Sequence, residues 1–205
     1  MSDTHTVRAF LESGHHSWAV EVSTFASRTL LGRHPPDTDE AGRMEARELL
    51  GLMGKAGLYA PIGDRDLRGA CLTRETIASA SPLADAVWAL QGLGITPLLI
   101  AGTDAQQAQW AGPALQGALM GGFAITEPES GSDVASVKTS AKRDGDTWVI
   151  NGHKWYISNA GIADFYIVFA TTDPDKGSRG LSAFLVPAEA EGLRFAGAQV
   201  MSAPH

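Results

Sequence analysis

The chain has a single cysteine, Cys71, in 205 residues. No internal disulfide can form, so nothing points to an oxidising compartment. There is no basic excess either: 16 Lys and Arg stand against 23 Asp and Glu, a formal charge of -7. A general nucleic-acid binder needs the opposite balance. Met1 to Phe10 lacks a charged stretch followed by an apolar one, so no signal peptide is read and the chain is expected in the cytoplasm. The most apolar segment, Val87 to Gly102, is interrupted by Gln91, Pro97 and three glycines and reads as too short and broken to span a bilayer. Internal repeats and low-complexity tracts are missing. What is present is ordinary for a globular protein: 44% hydrophobic and 19% charged residues, which excludes disorder or a collagen-like chain. The length suits one large domain or two small ones.

The texture changes near residue 120. Before it, apolar residues recur at helical spacing. Trp18, Val22, Phe25 and Thr29 fall on one face of a helix over His15 to Leu31, stopped by His34-Pro35-Pro36. A second helix is predicted over Glu40 to Lys55, with Met44, Leu49, Leu52, Met53 and Ala56 inward and Gly57 as its cap. Asp64 to Arg68 reads as a charged surface loop, and Thr73 to Ala80 as a short helix. Ser81-Pro82 opens the next helix as N-cap and N1, and Pro97 is expected to kink or divide it. Asp104 to Trp110 begins a further helix.

Beyond residue 120 the signals are those of strands. Asp144-Gly145 and Asn151-Gly152 read as hairpin turns. Strands are predicted around Lys142 to Ile150, Lys154 to Ile157, Phe165 to Ala170 and Leu181 to Val186. Leu193 to Val200 reads as the start of another. The fold class is therefore α+β: an N-terminal all-helical domain (1–119) followed by a small antiparallel β-barrel or sandwich domain (120–205), incomplete at its C-terminus.

Two segments hold the chemistry. In Gly121-Gly-Phe-Ala-Ile-Thr-Glu-Pro-Glu-Ser-Gly-Ser-Asp133 an apolar strand runs into a loop rich in hydroxyls and backbone N–H groups. On its residues alone this is a candidate anion or cofactor loop, or a polar turn leaving a strand. In Asn151-Gly-His-Lys-Trp-Tyr-Ile-Ser-Asn159 two adjacent aromatics on a strand face opposite sides. One is read as core and the other as able to flank a planar ligand, though packing alone explains both. His15, His16, His34, His153 and His205 show no metal-ligand spacing. Cys71 reads as a small buried residue. Lys142 and Arg143 read as a solvated hairpin.

Together the two segments resemble the acyl-CoA dehydrogenase family. Thr126-Glu-Pro-Glu-Ser-Gly-Ser-Asp133 is similar to that family's T-E-P-x-x-G-S-D signature. Asn151 to Ser158 resembles its N-G-x-K-x-[aromatic]-I-[ST] segment at the usual separation. Gly102-Thr103 to Leu119, with Gln106, Gln109 and Trp110, resembles the stretch that leads into the flavin loop. The resemblance covers nearly the whole chain and is weakest in the first 40 residues.

The resemblance implies a flavoenzyme, with FAD as cofactor, that introduces a double bond into an acyl thioester. In that family a glutamate base removes the α proton while the β hydrogen leaves as hydride to flavin N5. Carried over residue by residue, Thr126 is expected near the flavin pyrimidine edge and N5, and Phe123 and Ile125 along the flavin or acyl pocket. Gly131 and Ser132 are expected at the FAD pyrophosphate, Ser132 also at the substrate's pantetheine arm. Tyr156 is expected along the flavin ring and Ser158 at its edge. Phe123 stands for a common Tyr and Tyr156 for a common Trp. No residue matches the catalytic base, which the family carries in a C-terminal helical domain. Glu127 is read as structural and Asp133 as a turn or cap residue. The expectation is an incomplete dehydrogenase acting on an acyl-CoA or acyl-carrier-protein substrate. Its base would come from a missing domain or a partner chain, and a homo-oligomer or partner subunit is expected. Two other readings stand beside it: a flavin monooxygenase or oxidase of the same fold, and a non-catalytic remnant that binds flavin or a partner.

Overall fold

The computed structural model describes residues 4–5 and 7–199. They fall into two compact units, one ending at Met120 and one running from Gly121 onward.

In the first unit, α1 (Ser13–Phe25) continues into a π-helical turn, Ala26–Leu30. Its buried face is His15, Ala19, Val22, Ala26 and Leu30, spaced as one side of a helix requires. Of the four residues expected inward, Val22 alone is buried; Trp18, Phe25 and Thr29 sit half-buried at the margin. The Trp18 indole N–H donates to Thr73 Oγ1 at 2.8 Å, which uses its polar edge at that margin.

Thr38 caps α2 (Asp39–Lys55) by accepting the Ala41 N–H at 3.1 Å. The far end closes as sequence suggested. Gly57 has φ +72°, its N–H reaches Gly54 O and the Leu58 N–H reaches Met53 O, the paired bonds of a Schellman stop. Leu49, Leu50 and Met53 are in the core, but Met44 is 65% exposed and Ala56 is also exposed.

A short α3 (Ala60–Gly63) precedes α4 (Leu67–Ala80), which starts six residues before the expected Thr73. The supposed loop over 64–68 contains its cap: Asp66 accepts the Arg68 N–H at 3.1 Å and faces His15 Nε2 at 3.0 Å. Cys71 lies exposed on α4, not buried as its residue type suggested.

The Ser81 hydroxyl accepts the Ala84 N–H and Pro82 occupies N1 of α5 (Pro82–Ala101). Pro97 does not divide it. A proline here removes one rung of the ladder, to Leu93 O, and Leu93 is on the exposed side of the helix. So α5 is one uninterrupted helix, longer and less broken than its sequence suggests; by length and composition alone it is apolar enough to cross a membrane, as core helices of soluble proteins also are. Its inner side is nevertheless a domain core: Leu83, Val87, Trp88, Ile95 and Leu98 are buried. The Gln91 amide donates to Ala114 O at 2.9 Å and Leu119 O at 2.7 Å. Helical turns α6 (Asp104–Gln106) and α7 (Gly112–Leu115), with a π-helical turn between them, end the unit.

Two glycines let backbones meet inside it. A Cβ on Gly54 would run into the backbone of Gln116 and Gly117, and one on Gly117 into Leu50 O. Alanine normally stabilises a helix interior. Gly54→Ala is expected instead to destabilise the chain by about 1–3 kcal/mol, the usual cost of overpacking, as a fall in the urea midpoint.

The second unit is one five-stranded sheet. Strand β1 (Gly121–Ala124) pairs in parallel with β4 (Phe165–Thr171), from Gly121↔Phe165 to Ala124↔Val168. Strands β2 (Ser140–Asp144) and β3 (Thr147–Asn151) form the hairpin whose turn holds Gly145 at φ +59°. Strand β5 (Leu181–Pro187) is antiparallel to β4, and β2 meets β4 in parallel at Ser140↔Thr171. The α+β class stands, but the sheet is mixed rather than antiparallel. Parallel neighbours need a long crossover, which the chain between β1 and β4 supplies. Every residue of β4 but half-buried Phe169 is buried, as a central strand should be. One core cluster is Ala124, Ala163, Tyr166 and Val168, with Ile150, Ile157, Val186 and Ala188 against it; Phe165, Ile167 and Ala170 are buried as well.

Two expected elements are not strands. Asn151-Gly152 makes no hairpin, and residues 152–157 are irregular. Residues 193–199 of the supposed last strand are also without regular structure; Val200 to His205, His205 included, lie outside the described residues.

Candidate functional site

Strand β1 sets the start of the site. Gly122 turns toward Tyr166, where a Cβ would come within 2.5 Å of the ring. Phe123 points the other way and meets Phe169 at 5.0 Å between ring centres, as alternation along a strand demands. Ile125 and Thr126, both half-buried, then leave the sheet.

Glu127 to Ser130 is a tight turn with Pro128 at its second position, where a proline's fixed φ suits it. It is closed by Glu127 N–H to Ser130 O at 2.8 Å and Ser130 N–H to Glu127 O at 3.2 Å. The Ser130 hydroxyl donates to Asp133 O at 2.7 Å, and the Ser136 hydroxyl donates to the Asp133 carboxylate. Gly131, Ser132 and Asp133 are exposed. A Cβ on Gly131 would meet nothing within 4 Å, so the backbone there is open to close approach.

The Glu127 side chain runs inward and is 4% exposed. Its carboxylate accepts the Lys138 N–H at 2.7 Å, the Thr139 N–H at 2.9 Å and the Lys154 ammonium at 2.8 Å. Burial by itself would raise this carboxyl; the hydrogen bonds from Lys154, Thr139 and Lys138 outweigh it and hold the group at about 2. Burial also pulls the Lys154 ammonium below the ordinary lysine value, an effect Glu127 offsets only in part.

These contacts bring the two candidate segments together. Lys154 Nζ donates to Ile125 O at 2.9 Å as well as to Glu127, and the Trp155 N–H donates to Thr126 O at 2.9 Å. Within residues 154–157, which form no strand, Lys154 and Trp155 serve the signature loop, while Ile157 O accepts the Ala160 N–H at 3.1 Å. Tyr156 follows with φ +54° and a side chain 72% exposed; its ring lies edge-on to Trp155 at 5.7 Å. Ser158 is half-buried. Asn159, at φ +64°, then anchors the segment by donating its side-chain N–H to Gly121 O at 3.0 Å. Among the described residues no hydrogen bond ties Gly131 or Ser132 to residues 156–158.

Of the supports, Glu127 is legible in the sequence as a structural residue, whereas Lys154 and Asn159 are there only letters of a motif. A lone cation beside two aromatics, and an asparagine before Ala160-Gly161, were the available signals.

The arrangement suits a planar, polar ligand. It offers an exposed ring at Tyr156, hydroxyls at Thr126 and Ser158, and an unobstructed glycine in a turn with free space above it. These features fit a flavin nucleotide. Among the described residues no group of three or more His, Cys, Asp or Glu could hold a metal ion.

Comparison with known proteins agrees with this chemistry. Residues 122–203 match the family described as "Acyl-CoA dehydrogenase, middle domain". The probable acyl-CoA dehydrogenase fadE25 of Mycobacterium leprae is 34% identical over 189 residues, covering 89% of this chain and 48% of that protein. A glutaryl-CoA dehydrogenase from Mycobacterium smegmatis, solved in complex with FADH2, superposes with TM-score 0.73 at 26% identity over 90% of this chain and 48% of its own. The prolyl acyl carrier protein oxidase AnaB superposes with TM-score 0.72 at 27% identity, over 90% and 51%. The chain spans about half the length of the relatives it matches.

Proposed function

This chain belongs to the acyl-CoA dehydrogenase family, and we propose that it carries the flavin-facing part of an FAD-dependent dehydrogenase of acyl thioesters. The observation that carries this is the double tie of Lys154 and Trp155 to Ile125 and Thr126. It sets the signature loop beside an exposed ring and a second hydroxyl. When bound, FAD supplies the acceptor for the hydride leaving the β carbon. In this reading residues 1–119 form a helical domain and 120–205 a β domain.

Within the β domain, Thr126 and Ser158 offer their hydroxyls to the flavin edge, and Tyr156 its exposed face. Phe123 and Ile125 line the apolar side. Gly131 and Ser132 stand where a pyrophosphate can approach, with Ser132 also placed for the pantetheine arm. The proton on the α carbon must go to a base, and Glu127 is unsuited. A carboxylate held at about 2 and already accepting three hydrogen bonds has little affinity for a proton at neutral pH. The base is proposed to come from outside these residues. The substrate class is an acyl group on CoA or on a carrier protein, and the setting a homo-oligomer in the cytoplasm. Likeness to an acyl carrier protein oxidase supports a second reading, in which the same site passes its electrons to oxygen.

The test is made on the protein isolated from its cells. Heat release is expected to yield FAD in about equal amount to the chain, and an acyl thioester added without oxygen is expected to bleach the flavin absorbance. Peroxide formed in air at the same rate would favour the oxidase; release of no flavin would defeat both readings. Gly131→Ala is a sharper probe. With open space around its Cβ, stability should stay within about 0.5 kcal/mol of the parent. FAD affinity should fall about tenfold or more, since a methyl then occupies the approach. Unchanged affinity would remove Gly131 from the site.

A further inference from the structure

We propose that Lys154 is a positioning residue of the flavin site, its ammonium fixing Thr126 and residues 156–158 in one arrangement; this rests on the flavin reading above. Satisfying Glu127 does not require it. Two backbone N–H groups, of Lys138 and Thr139, already donate to that carboxylate. Nor is a buried ion pair a good source of stability, because desolvation of both charges consumes most of the attraction. Lys154 and Glu127 are 12% and 4% exposed, and burial pulls the ammonium down despite its partner. An apolar side chain of similar length would fill the space at lower cost.

What lysine adds is geometry. A single ammonium has three donors that can be shared between acceptors. Here Nζ takes Ile125 O at 2.9 Å and Glu127 Oε1 at 2.8 Å, the residues on either side of Thr126. The next N–H along, that of Trp155, takes Thr126 O itself. Residues 125, 126 and 127 are thus each held by the pair 154–155. One residue later the chain turns through φ +54° at Tyr156, a conformation costly for a non-glycine residue and kept only where its surroundings impose it. Asn159 fixes the other end on Gly121 O. The presented groups, Tyr156 and Ser158, lie between these two anchors.

The experiment compares the flavin-loaded protein with three variants: Lys154→Met, Lys154→Arg and the double variant Lys154→Met with Glu127→Gln. The double variant leaves no unpaired buried charge; its glutamine oxygen accepts only one of the Lys138 and Thr139 N–H groups, so circular dichroism is read alongside affinity. The readouts are FAD affinity, the visible absorption bands of the bound flavin and amide hydrogen exchange at Trp155. Expected in the double variant are circular dichroism like the parent's, an FAD affinity at least tenfold weaker, displaced flavin bands and at least tenfold faster exchange at Trp155. The Arg variant, which keeps a cationic donor, is expected to recover most of the affinity and the band positions. A folded double variant with parental affinity, spectrum and exchange overturns the role of Lys154 while leaving the flavin reading intact. A parent protein that holds no flavin overturns both.

Discussion

Glu127→Ala is expected to cost about 3–5 kcal/mol of unfolding free energy at neutral pH, the range for breaking a buried ion pair from one side. The loss strands the Lys154 ammonium in a site where it is 12% exposed and takes the acceptor from the N–H groups of Lys138 and Thr139. The same group gives the parent an acid limb. Its folded value of about 2 lies below the ordinary 4.5, so the unfolded chain binds the proton more readily. Stability from Glu127 is complete above pH 4.5 and is lost as pH falls toward 2. The span corresponds to roughly 3 kcal/mol. Lys154 adds no slope there, being charged in both states at acid pH. Urea midpoints of the parent measured stepwise from pH 5.5 to pH 2.5 should therefore fall. Glu127→Ala should begin lower and lose the part of the slope owed to this carboxyl. Parallel curves for the two proteins would show that Glu127 is not held in the charged form by its neighbours.

What could be read from the chain was whatever is decided within a few residues. Ser81-Pro82 starts α5 because cap and N1 are local chemistry, and Gly57 ends α2 because a left-handed residue is needed there. Asp144-Gly145 turned the β2–β3 hairpin for the same reason. The misreadings come from distant partners. Asn151-Gly152 has the letters of a hairpin, but the polar groups after it bond to Ile125, Thr126 and Glu127, more than twenty-five residues back in the chain. The parallel pairing of β1 with β4 spans some forty residues and leaves no local mark. Met44 satisfies the helical period and is still 65% exposed, because the period fixes a face without fixing how wide it is. In the site the same division holds. Thr126, Tyr156 and Ser158 come from the resemblance of two short segments to a family motif, a match of consecutive letters that needs no knowledge of the fold. The supports were not legible: whether a lysine is solvated or clasped between a carbonyl and a carboxylate depends on the fold around it.

Asn159 provides the second large effect, and a series of substitutions separates its two roles. The residue is 8% exposed, sits at φ +64° and donates to Gly121 O, while its own carbonyl accepts the N–H groups of Ile162 and Ala163. Asn159→Gly keeps the conformation and removes the side-chain bond, so a loss of about 1 kcal/mol is expected. Asn159→Ala adds the cost of a Cβ in the left-handed region, about 1–2 kcal/mol more. Asn159→Asp should be the worst of the three, at about 3 kcal/mol or above: it sets a buried carboxylate oxygen where an N–H had met a carbonyl, and like dipoles then face each other without water. Urea unfolding at pH 7 gives the order directly. If Gly and Ala cost the same, the backbone conformation carries no strain for a side chain; if Asp matches Gly, the bond to Gly121 is not what holds the turn. The order Gly, Ala, Asp means that both do. Flavin affinity should then follow that order too, because Ser158 is the neighbouring residue and can be placed no better than the anchor that ends its segment.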